Sequence, residues 1–395
     1  MTISKKVETI LSKSSWIRKM FEEGAMLKAE HGPDNVYDFS LGNPNLSPPD
    51  SFRKTLLDII DTQDGVGHGY MPNTGYPDVR KSLANYLSKE QDTEISENHV
   101  IMTCGAAGGL NVIFKAILDP EDEVITPAPF FVEYGFYADN HGGKLVTVPV
   151  KKDFALDIEG IASAVTGKTK AVLINSPNNP TGRIYDRESL EALGNMLTEK
   201  GKALGKIIYL ISDEPYRKIV YDGVDVPEIF PVYKDSIIVA SYSKDLSIAG
   251  ERIGFITVNP KASSKDALLS GMALANRILG FVNAPALMQR TVSNLQGVSV
   301  DISAYTRNRD LLCDGLADCG YEFIKPAGAF YLFPKSPISD DVKFVQELQK
   351  ELILTVPGSG FGGPGHFRIA FCVQDSVIIG AMPGFKKVME KIKGM

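Results

Sequence analysis

Between about residues 100 and 259, short apolar runs rich in β-branched residues alternate with amphipathic stretches, the pattern of a mainly parallel sheet with helices on both faces. The strand candidates are 100–103, 123–126, 144–150, 170–175, 207–212, 237–241 and 252–258. Several are apolar throughout, as a strand covered on both faces has to be. Helical spacing fills most of the gaps between them, for example at 108–118 and 187–204. Ahead of this region, Leu41-Gly-Asn-Pro-Asn-Leu-Ser-Pro-Pro49 cannot be a helix interior, because each proline removes a donor and blocks the preceding turn. It reads as an extended crossing between domains. Beyond the sheet, 301–320 has helical spacing, and strand-and-turn patterns return around 323–333 and 366–372. The predicted fold is α/β. A three-layer α/β/α large domain (50–290) is built on a mainly parallel seven-stranded sheet, and a smaller α+β domain (291–395) is joined by the N-terminal segment (1–49).

Composition narrows the chemistry. The 42 Lys and Arg against 48 Asp and Glu, a formal net charge of -6, give no general attraction to nucleic acid or an anionic membrane. Cys104, Cys313, Cys319 and Cys372 are scattered, with no C-x-x-C pair and no histidine spaced for zinc, so we expect reduced thiols, a cytoplasmic setting and no metal site. The first 16 residues lack the continuous apolar core of a signal peptide, and no apolar run approaches the roughly 20 residues that cross a bilayer.

Four segments, each at the C-terminal end of a predicted strand, carry the candidate chemistry; open α/β sheets place their ligands at that edge. Thr103-Cys-Gly-Ala-Ala-Gly-Gly109 opens a helix with residues small enough to bring backbone N–H groups against a phosphate, although the same residues also make a plain strand–helix turn. Asn175-Ser-Pro-Asn-Asn-Pro-Thr-Gly182 is held out of helix by its prolines and projects Asn side chains able to donate to a phenolate or a carboxylate. Ser212-Asp-Glu-Pro-Tyr216 sets an acid three residues before a phenol, where Asp213 equally suits a helix cap. Ser241-Tyr-Ser-Lys-Asp-Leu-Ser-Ile-Ala-Gly-Glu-Arg-Ile-Gly254 places Lys244 just past a buried strand, where poor solvation lowers its pKa and frees its amine as a nucleophile. Arg252, eight residues on, suits a phosphate.

Together these segments resemble the fold-type I aminotransferases that depend on pyridoxal 5′-phosphate, the class that includes aspartate aminotransferase. The likeness runs from the Leu41-Gly-Asn-Pro stretch to Phe367-Arg-Ile, in the family's order. It implies that Lys244 carries the cofactor as a Schiff base, that Asp213 faces the ring nitrogen, and that Tyr216 and Asn179 bond the ring's 3-oxygen. Gly105, Ala106 and Ala107, with Ser241 and Arg252, would hold the phosphate. Phe131 would stack on the ring, and Tyr70 would reach the phosphate of the neighbouring subunit in a homodimer. Arg368 would grip the substrate α-carboxylate with Gly42 and Asn179 beside it. The implied reaction moves the amino group of an L-amino acid to a 2-oxo acid in two half-reactions. Ala106 and Ala107 stand where some relatives place a hydroxyl or a lysine, and the lysine binds a second substrate carboxylate in one subgroup. No arginine matches a distal-carboxylate clamp, which leaves Arg18 and Arg183 as candidates, while Tyr331 and Phe361 are candidates for the pocket wall.

Rival motifs fail on their partners. Ser241-Tyr-Ser-Lys244 fits S-x-x-K, but no S-D-N follows and the nearest approach to K-T-G is Lys168-Thr-Lys170. Gly360-Phe-Gly-Gly-Pro-Gly365 fits G-x-G-x-x-G, but Pro364 interrupts it and only 30 residues remain beyond it. The nearer alternative is a C–S lyase on the same scaffold, since fold does not settle function.

Overall fold

The computed structural model describes residues 2–12, 16–62 and 66–394, with the side chains of 12, 16–22 and 66 outside that description, Arg18 among them. Its centre is a seven-stranded sheet of β2 (Val100–Thr103), β3 (Glu123–Ala128), β4 (Lys144–Pro149), β5 (Thr169–Asn175), β6 (Tyr209–Asp213), β7 (Ser236–Ser241) and β8 (Gly254–Val258), in the order β2-β8-β7-β6-β5-β3-β4. Every neighbouring pair is parallel except those of β8, which runs antiparallel to β2 and β7. A strand has a side-chain period of two, and here both phases are apolar: Ala171 and Leu173 of β5 enter one core, Val172 and Ile174 the other. Helix Gly105–Ile117 covers the first face through Leu110, Ile113 and Phe114, and helix Arg187–Leu204 covers the second through Leu190, Leu193 and Leu197.

A separate core forms around short strands β9 (Tyr331–Leu332), β11 (Val356–Pro357) and β12 (Phe367–Ala370), in the order β11-β12-β9, with helices Ser303–Asp318, Asp341–Gln349 and Asp375–Lys393 packed on it. The N-terminal segment joins this core: β1 (Tyr37–Asp38) pairs in parallel with β10 (Ile353–Leu354), and Phe39 is fully buried beside Phe385.

Several element boundaries shift by one or two residues from expectation, and two differences matter for the site. The helix expected from 108 begins at Gly105, so residues 105–107 form its first turn. Gly105, Gly108 and Gly109 weaken the local preference of its start, and packing against β7 and β8 holds it. The strand expected from 252 begins at Gly254, because Arg252 adopts a left-handed conformation (φ 53°) that no strand can contain.

Candidate active site

Parallel strands β2, β5, β6 and β7 deliver their following loops to one edge, and β8, running the other way, starts there. Arg252, just before β8, therefore comes back to that edge. Between the large sheet's strand ends and the separate core around β9, β11 and β12 lies a cavity of ≈ 270 Å³ lined by Gly42, Ala106, Ala107, Phe131, Asn179, Asp213, Tyr216, Ser241, Lys244, Arg252 and Arg368. Those expected residues are brought together although they span most of the chain.

Asp213 ends β6 and is 5% exposed. One carboxylate oxygen accepts a 2.5 Å hydrogen bond from the Tyr134 hydroxyl; the other is buried with no partner. Burial pushes this carboxyl up to about 7, with the Tyr134 hydrogen bond pulling down and Glu214 pushing up. A buried acid with a free oxygen suits a protonated ring nitrogen, whose charge would restore the carboxylate. Asn175 ties the neighbouring loop to this strand: its Nδ2 donates to the Asp213 carbonyl (2.8 Å) and its Oδ1 accepts from the Asn179 backbone N–H (2.7 Å).

Lys244 lies three residues past β7. Its Nζ donates to the Gly42 carbonyl at 2.9 Å and sits 5.5 Å from the Phe330 ring centroid and 6.0 Å from that of Tyr216. Burial lowers the amine to about 8, with Arg368 and Arg252 lowering it further and the Cys372 thiol opposing them. Neutral amine is thus accessible near physiological pH. At the other end of the cavity, Arg368 of β12 is buried between the Tyr331 and Phe361 rings, 4.7 and 4.6 Å from their centroids. Its Nη1 donates to Asn179 Oδ1 (3.1 Å) and its Nη2 to the Ser40 carbonyl (2.6 Å), while its Nε has no partner. A buried guanidinium held by neutral acceptors lacks the counter-anion that a carboxylate ligand supplies.

The end of the cavity expected to take a phosphate is built from the first turn of helix Gly105–Ile117, Ser241 and Arg252. Gly105 has φ +70°, and a Cβ there would lie 2.8 Å from Arg252 Nη2, so the helix start and the guanidinium approach each other only because no side chain intervenes. Gly42 is constrained similarly: a Cβ would meet the Tyr331 hydroxyl at 1.9 Å. Phe131 lines the wall with its ring edge-on to Tyr134 (5.5 Å, 84°). The cavity therefore holds three cations, Lys244, Arg252 and Arg368, against the single carboxylate Asp213, the balance expected of a site for a phosphate and a carboxylate. The residues fit pyridoxal phosphate on the orphaned Asp213 oxygen, the open helix start and the low-pKa amine together.

Some expectations fall elsewhere. Tyr70 is 93% exposed and outside this chain's cavity. Arg183 pairs with Asp153 (3.8 Å) and Asp186 (3.9 Å) and does not line the cavity. Tyr134 as the Asp213 partner escaped notice in the sequence, although it lies three residues after Phe131. Its side chain faces a strand end 79 residues away, and nothing local signals that pairing. Among the described residues no group of three or more His, Cys, Asp or Glu is placed to hold a metal ion, the cysteines are free, and no helix is long and apolar enough to cross a membrane.

The desolvated carboxyl gives a test that needs no cofactor. Asp213 titrates near 3.8 when unfolded and near 7 when folded, so the unfolded chain gives up its proton first and stability falls as pH rises between those values. At about 1.4 kcal/mol per pH unit the loss reaches roughly 4 kcal/mol. Cofactor-free Asp213→Asn should therefore melt higher than wild type at pH 8 and with it at pH 4; an equal difference at both pH values would show that the acid is not titrating in the fold.

Comparison with known proteins agrees with this geometry. The family model for aminotransferase class I and II matches residues 34–379. A probable aspartate/prephenate aminotransferase of Aquifex aeolicus is 32% identical over 91% of this chain and 92% of its own length, and an aspartate aminotransferase of Bacillus subtilis is 31% identical over 90% and 92%. Among solved structures, an amino transferase from Eubacterium rectale superposes with a TM-score of 0.96 at 39% identity over 99% of both chains, and the Thermus thermophilus aspartate aminotransferase with maleate with 0.87 at 27% identity over 98% and 100%. An amine-bearing cavity at the strand ends, a family match over most of the chain and relatives named as aminotransferases lead to a single conclusion: the chain belongs to the class I and II aminotransferases, pyridoxal phosphate-dependent enzymes of the aspartate aminotransferase fold.

Proposed function

We propose that the enzyme binds pyridoxal phosphate at Lys244 and transaminates L-amino acids whose side chains carry no charge. The observation that carries the substrate class is that the cavity's three cations each have a task, leaving, among the described residues that line it, no cation for a second carboxylate. Ala106 and Ala107 at the helix start add none, and Arg183 is engaged elsewhere.

When bound, pyridoxal phosphate supplies a carbonyl carbon that exchanges amines and a ring that takes up the electron pair left when the substrate Cα loses its proton. Asp213, oriented by Tyr134, keeps a proton on the ring nitrogen. Tyr216 and Asn179 donate to the ring oxygen, and Phe131 covers the ring. The amides of residues 105–107, Ser241 and Arg252 bind the phosphate, joined by Tyr70 from the second subunit of a homodimer. Arg368 takes the substrate carboxylate in place of the Ser40 carbonyl. Lys244, released from Gly42, would take the substrate Cα proton on its neutral Nζ and hold it for return. Exposed Ile3, Val7, Leu57 and Ile60 supply apolar surface for the dimer. The two cores correspond to large and small domains dividing near residues 49 and 290, and the enzyme works in the cytoplasm.

A second reading, aspartate as donor, is favoured by the names of the relatives and requires a cation beyond the described residues that line the cavity. A C–S lyase gains no support from them. Steady-state kcat/KM over a donor panel, with pyruvate as acceptor and the mass of the enzyme measured in solution, decides. Uncharged donors should exceed aspartate by about tenfold or more, since a charge-assisted pair contributes roughly 1.5–3 kcal/mol. Aspartate in the lead by that margin would overturn the substrate class, and a monomer of full activity the dimer.

A further inference from the structure

Tyr331 stands where three parts of the site meet. It is 2% exposed, at the start of β9, set opposite Ala370 by antiparallel pairing with β12. Its hydroxyl lies 2.9 Å from the Tyr216 hydroxyl, and its ring centroid 4.7 Å from the Arg368 guanidinium carbon. The same hydroxyl fills the space beside Gly42, whose carbonyl holds Lys244. Of two hydrogen-bonded phenols, one donates and the other accepts. Here the reading of Tyr216 as donor to the cofactor's ring oxygen, on which this inference rests, settles the direction. With its proton committed there, the Tyr216 oxygen can only accept, and Tyr331 donates to it.

We propose that Tyr331 is a positioning residue with two separable tasks: its hydroxyl donates to Tyr216 in a two-phenol relay that strengthens Tyr216's hydrogen bond to the ring oxygen, and its ring holds the Arg368 guanidinium in place. A hydroxyl that accepts a hydrogen bond becomes a better donor, most of all in a buried site. Burial raises Tyr331 to about 12 and Tyr216 well above its ordinary value, so both retain their protons at neutral pH. The groups facing the pair are Arg368 of β12, Cys372 just beyond it, Asp213 at the end of β6 and Lys244 past β7.

The test compares Tyr331→Phe, Tyr331→Leu and Tyr216→Phe as proteins loaded with pyridoxal phosphate, reading the visible absorption of the cofactor against pH alongside KM. Losing a donor to the ring oxygen disfavours its anion, so the titration midpoint moves up. Tyr216→Phe should raise it by about one pH unit and Tyr331→Phe by roughly half of that, with KM for the amino acid unchanged because the ring stays over Arg368. Tyr331→Leu should give the same spectral shift and also raise KM about 3- to 10-fold. A Tyr331→Phe midpoint within about 0.1 unit of wild type, with Tyr216→Phe shifted, overturns the relay alone. An unmoved Tyr216→Phe midpoint overturns the assignment of Tyr216 beneath it. Equal KM changes in the Phe and Leu variants overturn the role of the ring.

Discussion

Replacing Lys244 by Ala is expected to lower kcat by about four orders of magnitude or more, the upper end of what one positioned acid–base group contributes. The amine combines three properties that no neighbour shares. It lies in the cavity beside the predicted cofactor ring site, it is held only by the Gly42 carbonyl, and burial keeps its pKa near 8, so it can both give and take a proton near neutrality. Single-turnover rates of wild type and variant, with and without added methylamine, measure this. Partial rescue by the free amine supports a proton-transfer role, and a loss smaller than about 100-fold would mean that another group moves the proton. The same amine marks stability. Its folded pKa is below the unfolded value of 10.5, so stability of the cofactor-free protein rises with pH between about 8 and 10.5 and that gain is absent below 8. The increment, roughly 3 kcal/mol at 1.4 kcal/mol per unit, should vanish in a Lys244→Met variant.

Arg368→Gln is expected to lower kcat/KM roughly 30- to 5,000-fold, with most of the loss in KM. Truncating one partner of a buried charge pair costs about 2–5 kcal/mol. The substrate carboxylate loses a planar two-point donor, which a glutamine amide does not replace. Initial-rate kinetics together with the inhibition constant of a simple monocarboxylate separate the possibilities. If KM and the inhibition constant stay at wild-type values, the carboxylate binds elsewhere and the role of Arg368 is structural, through Asn179 and Ser40.

Much of the site is visible along the chain because its chemistry sits in short, continuous strings. Residues 103–109, 175–182, 212–216 and 241–254 each couple a strand end to a polar or glycine-rich turn, and it is their joint occurrence in one order, not any one of them, that marks the site. The alternation of buried strands with amphipathic helices likewise announces a doubly covered parallel sheet. Tyr134, Tyr331 and the Ser40 carbonyl carry no such signal. Each acts through a partner far along the chain: Asp213 at a separation of 79, Tyr216 at 115 and Arg368 at 328. A tyrosine in an apolar run looks the same whether its hydroxyl meets a catalytic acid or a backbone carbonyl.

The sequence by itself determined the fold class and the family and singled out Lys244, Asp213 and Arg368 as candidates for the chemistry, because these depend on residue type and local order. Only the tertiary structure decided their state. Burial sets the Asp213 carboxyl near 7 and the Lys244 amine near 8, packing starts the helix after β2 at Gly105, and the core around β9, β11 and β12 closes Arg368 between two aromatic rings with an acceptor from the N-terminal segment. Desolvation and long-range contact belong to the assembled volume, and no stretch of chain contains them.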